Sequence, residues 1–343
     1  MSPLSATPIE GHFIMTHDGL LFEVKGVVHP RDRVIAYLRY VQDEQGDRQT
    51  RDGTRFRKVY NLIERNEILR EKYPQYLWLD KKRGRQFQAV PRDRISFVLN
   101  PTDSLRQLLD MGSHISDLER ASRNLAELLV DKTGVNYSDI GLTGSQLVGL
   151  SSQKSDIDLV VYGSKPARKI HSSLKSKFDS FPEMIQYHGD PLKMHVKFRW
   201  EKHERWTKAL QIIESQKVLQ GLFRSYDFFI RAVKLPEEID YKYEDLIIRD
   251  KGIQTISCTV TDDSDSIFTP CIYTIETDDT TKIKRLVSFR GRFTEHVFAG
   301  ETVEARGRLE MVTNVNTDES FAQLVLGEDP LDYLMPIQTI REG

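Results

Sequence analysis

Asp156 and Asp158 are the residues of this chain best placed by type and spacing to do chemistry. They lie in the segment Gly141 to Gly163, GLTGSQLVGLSSQKSDIDLVVYG, where an apolar run ends in Gly-Ser and a second apolar run begins at Asp-Ile-Asp. Side chains at i and i+2 of a strand share a face about 7 Å apart. The two carboxylates are therefore expected in one solvent pocket, with Ile157, Leu159 and Val161 packing on the other side. Carboxylates so placed can ligate magnesium, a hard cation that takes oxygens at about 2.0 to 2.1 Å and shares them with phosphate. Gly144 lets backbone approach a phosphate without a Cβ, the amides of Ser145 and Gln146 can face an anion, and the Ser145 hydroxyl adds a hydrogen bond.

A Gly-Ser pair upstream of Ser-Asp-Ile-Asp-Leu resembles the nucleotidyltransferase signature of the DNA polymerase beta superfamily. CCA-adding enzymes, poly(A) polymerases and aminoglycoside nucleotidyltransferases belong to it. The motif spans a short part of the chain, and the flanking order of helix, strand and helix fits that fold's minimal α/β core. As a whole the chain also resembles an uncharacterised archaeal group described as predicted nucleotidyltransferases. The resemblance implies that Gly144 and Ser145 hold a nucleoside triphosphate, with Gln146, Lys154 and Ser155 beside it. It implies that Asp156 and Asp158 hold Mg2+, as two ions about 3.5 to 4 Å apart in an in-line displacement. The expected reaction moves a nucleoside monophosphate onto an acceptor hydroxyl and releases pyrophosphate. RNA ends, protein side chains and small molecules all stay open as acceptors.

The superfamily usually places a third carboxylate on a later neighbouring strand, where it binds metal and takes the acceptor's proton. Lys193 to Trp200 alternates as a strand, with Met194, Val196, Phe198 and Trp200 on one face, and is the expected neighbour. Its other face offers His195, Lys197 and Arg199, none of them acidic. Glu201 follows it, and Asp190 and Glu183 precede it. His195 and Glu201 are therefore the expected proton acceptors. A non-catalytic nucleotide- or RNA-binding protein that keeps the fold is the alternative.

The elements that must position these residues suggest three domains, and the fold class is α+β. An N-terminal α+β domain, 1–101, opens with a hairpin about Asp18-Gly19 and continues through a strand at Asp32 to Tyr40 and a helix at Val59 to Lys72. Short strands follow at Tyr76 to Asp80, Arg85 to Val90 and Ile95 to Leu99, and Asn100-Pro101 closes the domain. The nucleotidyltransferase domain, 102–235, starts with a helix capped by Asp103 or Ser104 and has helical leucine spacing up to Gly134. Strands at Ile140 to Thr143 and Ile157 to Tyr162, a helix at Pro166 to Phe178 and helix from Glu201 to Val233 complete it. The C-terminal domain, 236–343, is mostly β and barrel-like, with acidic turns at TDDSDS (261–266) and TDDTT (277–281) and strands at Leu286 to Phe293 and Thr302 to Val312.

Composition sets the outer limits. The 343 residues carry 49 Lys and Arg against 51 Asp and Glu, a formal charge of -2, so no global positive field draws the chain onto nucleic acid. Local basic runs remain: Arg55, Arg57 and Lys58, then Lys81, Lys82, Arg83 and Arg85, near Phe56, Tyr60 and Phe87, a composition compatible with phosphate contact and base stacking. Cys258 and Cys271 are too few for a disulfide scaffold and read as buried thiols. His188, His195 and His203 match no metal spacing, and Asp262, Asp263 and Asp265 lack the glycine and Glu of a calcium loop. No apolar run reaches the ~20 residues of a membrane helix, and the start MSPLSATPIEGH lacks a signal's basic and apolar regions, so a cytoplasmic protein is expected.

Overall fold

The computed structural model describes residues 7–277 and 283–342, so the turn expected at 277–281 lies, but for Thr277, outside the described residues. The chain divides into two compact units. Of the described residues, one comprises 7–81, 85–173 and 223–243, and the other 82–84, 174–222, 244–277 and 283–342. Both mix helix and sheet, and no helix among the described residues is long and apolar enough to cross a membrane.

The first unit opens with the hairpin β1 (Phe13–Thr16) and β2 (Leu21–Val24), paired antiparallel with Phe13 opposite Glu23. Gly19 takes the turn at φ +74°, a left-handed conformation open to glycine. β3 (Arg33–Gln42), β4 (Arg48–Gln49), β5 (Arg55–Lys58), β6 (Leu77–Asp80), β7 (Arg85–Pro91) and β8 (Ile95–Leu99) extend this sheet in the order β4-β5-β3-β2-β1-β8, with β7 joining β3 to β6. Helix α1 (Leu62–Lys72) covers one side, where Leu69 packs with Phe22, Leu38 and Tyr76.

Asn100-Pro101 opens α2 (Pro101–Asp110) instead of closing a segment. The Asn100 side chain accepts from Thr102 N at 2.9 Å, and proline fits the first turn because its missing N–H has no helical partner there. Ser116 and Glu119 form a capping box for α3 (Asp117–Thr133), which ends at Gly134 in the left-handed conformation. Then come β9 (Ile140–Leu142), the short α4 (Gly144–Leu147), β10 (Ile157–Tyr162) and α5 (Ser164–Lys177). Gly141 admits α2 against β9, since a Cβ there would meet the Pro101 carbonyl carbon at 2.7 Å.

Two expected elements are corrected here. Lys193 to Trp200 is not a strand: it belongs to helix α6 (Gly189–Arg199). Its apolar residues satisfy both periods, and the helical one wins, burying Leu192, Val196 and Trp200 while Met194 and Phe198 stand 72% and 83% exposed. Pro191 in the first turn is the signal for a helix start. The helix expected from Glu201 to Val233 shortens to α7 (Thr207–Ser215), and its C-terminal part is strand. There Phe228, Ile230 and Ala232 alternate inward along β13 (Tyr226–Val233), back in the first unit.

The second unit holds α6, α7, β11 (Met184–Ile185) and β12 (Gln220–Phe223) up to Leu222, followed by β14 (Leu246–Asp262), β15 (Cys271–Glu276), β16 (Ile283–Ser288), β17 (Thr302–Asn314), β18 (Ser320–Leu326), β19 (Tyr333–Pro336) and α8 (Ile337–Glu342). β16 stops at Ser288, short of the Phe293 expected for it. The strand order is β14-β15-β16-β18-β17-β19, and β14 also pairs antiparallel with β17, so the chain of pairings returns to its start. Gly307 lets β17 lie close to β18, because a Cβ would meet the Val325 carbonyl carbon at 3.1 Å. Cys258 and Cys271 are buried free thiols, and burial pushes each up to about 12. In the turn at 262–265, Asp262 accepts from Ser264 N at 2.9 Å, as an acidic turn should.

Candidate active site

β10 is flanked by β9, antiparallel, and by β13, parallel. Ile157 pairs with Phe228 and Asp158 with Phe229; Asp156 immediately precedes β10, as Asp227 precedes Phe228 on β13. Alternation turns Ile157 and Phe228 to the buried side. Continued one residue back, the same alternation assigns Asp156, just before β10, with Asp158 and Asp227 to one face, where ideal spacing is about 7 Å from i to i+2 and about 4.8 Å between strands. Asp156 and Asp227 are exposed, and Asp158 is partly covered.

The strand beside β10 is β13, not 193–200, and it carries a carboxylate, Asp227. In the sequence Asp227 falls within the stretch expected as helix from Glu201 to Val233, and only the pairing of β13 with β10 brings it to this face. His195 and Glu201 do not occupy a strand beside β10. His195 projects from α6 to Glu214, 3.3 Å from Oε2, and stacks on Tyr187. Glu201 is exposed just beyond α6. His203 is buried against Trp206, apart from any histidine cluster.

The Gly-Ser turn closes over Asp158. Thr143 N donates to Asp158 O at 2.9 Å, and Gly144 follows at φ +66°, where an added Cβ would strike the Asp158 carboxylate, 2.9 Å from its Cγ. Only glycine lets this backbone and that carboxylate share the space. Ser145 is nearly buried, and its carbonyl accepts from Leu150 N at 2.9 Å. The Gln146 side chain turns away to Ser122 on α3, at 2.8 Å, leaving only its backbone for a phosphate. Ser155 Oγ accepts from Ser152 N at 2.9 Å and from Arg48 at 3.5 Å, so it organises the loop before β10, while Lys154 is exposed on that loop.

Further along the same face of β10 and β13 the surface changes from carboxylate to ion pairs to apolar side chains. Arg231, opposite Val160, bonds Glu10 and lies 3.3 Å from Glu23. Lys25 reaches Glu23 at 2.7 Å and Glu10 at 3.1 Å, and Arg39 reaches Glu23 at 3.1 Å. Beyond them Val160, Tyr162 and Val233 pack against Ile9 and Val27. Burial raises the Glu23 carboxyl, but Lys25, Arg39 and Arg231 outweigh it and hold it well below its ordinary value. For Asp158 burial prevails, aided by Glu23 and opposed by Arg231, Lys58 and Arg39, so its carboxyl sits above its ordinary value of 3.8.

Asp156, Asp158 and Asp227 carry the hard oxygen donors that magnesium takes. Among the described residues no group of three His, Cys, Asp or Glu side chains is placed to hold a metal ion. Magnesium keeps waters and binds through one or two carboxylates plus substrate phosphates, which an open row of hard oxygens beneath a glycine turn accommodates.

Comparison with known proteins gives one relative. The chain is 29% identical to an uncharacterised protein of Methanocaldococcus jannaschii over 322 residues, covering 92% of this chain and 94% of that protein. No family model matches, and no solved structure does.

Proposed function

We propose that the chain is a nucleotidyltransferase that moves a nucleoside monophosphate from a nucleoside triphosphate to an acceptor hydroxyl. The observation that carries this reading is the parallel register of β10 and β13, which sets Asp156 and Asp227 each one residue before the paired Ile157 and Phe228 while Asp158 lies under the Gly144 turn. Magnesium held by Asp156 and Asp158 together with the substrate's phosphates would supply Lewis-acid neutralisation of the phosphate oxygens. The Gly144-Ser145 backbone admits the triphosphate beside Asp158. Asp227, exposed at the strand end, is the group placed to accept the proton of the attacking hydroxyl. Pyrophosphate leaves as the new phosphodiester bond forms.

The polymerase-beta-like core is supported by the same order of helix, strand, Gly-Ser turn and Asp-Ile-Asp strand. The barrel-like reading of the C-terminal part is supported by the closed chain of pairings from β14 through β17. A non-catalytic binding module loses its main argument, since Lys197 and Arg199 belong to a helix and the strand beside β10 brings a carboxylate.

The test incubates the chain and its Asp227→Asn variant with magnesium and α-labelled triphosphates, using total RNA and total protein as acceptors. Wild type should label one acceptor class, and the variant should be slower by about a hundredfold or more, the usual worth of a general base. Equal labelling by the two proteins would remove Asp227 from the mechanism.

A further inference from the structure

The N-terminal sheet covers the Gly-Ser turn and brings cations with it. Tyr40, Phe56, Phe13 and Leu21 pack against Leu147, Val148 and Leu150, and Arg48 donates to Leu150 O at 3.4 Å. A bulge shapes this face. Leu21 opposes Tyr40 but Phe22 opposes Leu38, so Arg39 is an extra residue, and Arg39 and Tyr40 both serve the side facing the site. Across the ladder Lys58 pairs with Tyr40 and belongs to the same face.

The cations on this face differ in what they already hold. Arg39 and Arg231 are engaged by Glu23, while Arg57, next to Lys58 on β5 and so on the opposite face, is engaged by Glu64 and Asp43. Lys58 makes no ion pair among the described residues, yet it is one of the charges that act on Asp158. Its Nζ lies 4.8 Å from the centre of the Tyr60 ring. Val59, between them, is fully buried, whereas Tyr60 is 61% exposed. Of the aromatics in the basic runs, Phe56 and Phe87 are buried, leaving Tyr60 as the ring with an open face.

We propose that Lys58 and Tyr60 form a nucleotide subsite supplied by the N-terminal sheet, Lys58 binding the outer phosphates of the triphosphate and the Tyr60 ring stacking on its base. This rests on the nucleotidyltransferase reading and adds the residues that hold the nucleotide. An ammonium beside a carboxylate row neutralises the phosphate charge that the row repels. An aromatic face stacks on any base without reading its edge.

Calorimetry on the full chain with magnesium tests it, titrating a non-hydrolysable ATP analogue and, separately, inorganic tripolyphosphate. Lys58→Gln should weaken both ligands about tenfold, whereas Tyr60→Ala should weaken the nucleotide alone by about tenfold and Tyr60→Phe should bind as wild type. If wild type binds both ligands and the Lys58 and Tyr60 variants bind equally well, the subsite is wrong and the carboxylate site stands. If Tyr60→Ala weakens tripolyphosphate as much as the nucleotide, stacking is wrong. Wild type that binds neither ligand overturns the subsite together with the reading beneath it.

Discussion

The two units each bury a cluster of charges, and the clusters differ in where they lead. In the second unit Glu214, fully buried, accepts from Trp200 Nε1 at 2.9 Å, Lys217 at 2.9 Å and Gln220 at 2.6 Å, with His195 at 3.3 Å. Lys217 also donates to the Arg292 carbonyl at 2.7 Å, and Glu295 takes the backbone N–H groups of Val218 and Leu219. Every charge there is turned inward onto a structural partner. In the first unit the cluster of Glu10, Glu23, Lys25, Arg39 and Arg231 continues along its sheet face to a partly covered Asp158 and two exposed carboxylates. A buried charge cluster is thus no sign of a site by itself. The feature that marks the candidate site is a cluster that continues into exposed carboxylates beneath a glycine turn.

The sharpest way to break this comparison removes one cation from each cluster. Lys217→Met leaves Glu214 buried without its ammonium and should cost about 3 to 5 kcal/mol in urea unfolding, as should Arg231→Met through Glu10 and Glu23. Only the second should reach the nucleotide. Arg231 holds the Asp158 carboxyl down, so without it Asp158 protonates at higher pH and the acid limb of magnesium-nucleotide binding moves upward. Should Lys217→Met move that limb as far as Arg231→Met, the functional distinction between the clusters fails.

Much of the site could be read from the chain because its information is local. Strand β10 matches its expected span at both ends, and the Gly-Ser turn, β9 and the hairpin at Gly19 follow from short patterns of alternation and glycine. What was not legible depends on pairing across long separations. Asp227 becomes a site residue only when β13 aligns with β10, and the run Phe228 to Val233 reads equally as the end of a helix. The alternation at 193–200 misled because Leu192, Val196 and Trp200 also fit a helical stripe, and burial on α7 and the second unit's sheet decided between the periods. No sequence pattern announces that Arg231 meets Glu10 and Glu23, which approach from other strands and loops.

A smaller effect isolates the turn. Gly144→Ala puts a Cβ into a left-handed conformation, at about 1 to 2 kcal/mol, and against the Asp158 carboxylate. The protein should still fold and lose most of its magnesium-nucleotide affinity, whereas Gly149→Ala, also at positive φ but with open space around its Cβ, should cost similar stability and keep affinity. Equal affinities in the two variants, measured by calorimetry, would mean that the close approach to Asp158 has no part in binding.

The smallest effect is one of sign, and it separates the two regions through pH. Burial raises the Asp158 carboxyl, so the folded state favours its neutral form; that contribution is present below the unfolded value and is lost as pH rises through the raised one. Glu214 behaves oppositely. Burial raises it, but Lys217 and the His195 hydrogen bond outweigh burial, so its contribution is present above the ordinary value of 4.5 and lost as pH falls. His296 adds to that loss, because burial holds it at about 3 and the unfolded chain takes up its proton first as pH drops below 6.5. Asp158→Asn should therefore be more stable than wild type at pH 7 by roughly 0.5 to 2 kcal/mol, the gain typical of relieving a strained functional group. That gain should shrink toward zero as pH approaches 4, while Glu214→Gln is less stable at pH 7 and its deficit shrinks over the acid range. Urea midpoints across pH 4 to 7 measure both, and an Asp158→Asn protein less stable than wild type at pH 7 would place Asp158 with the structural charges instead.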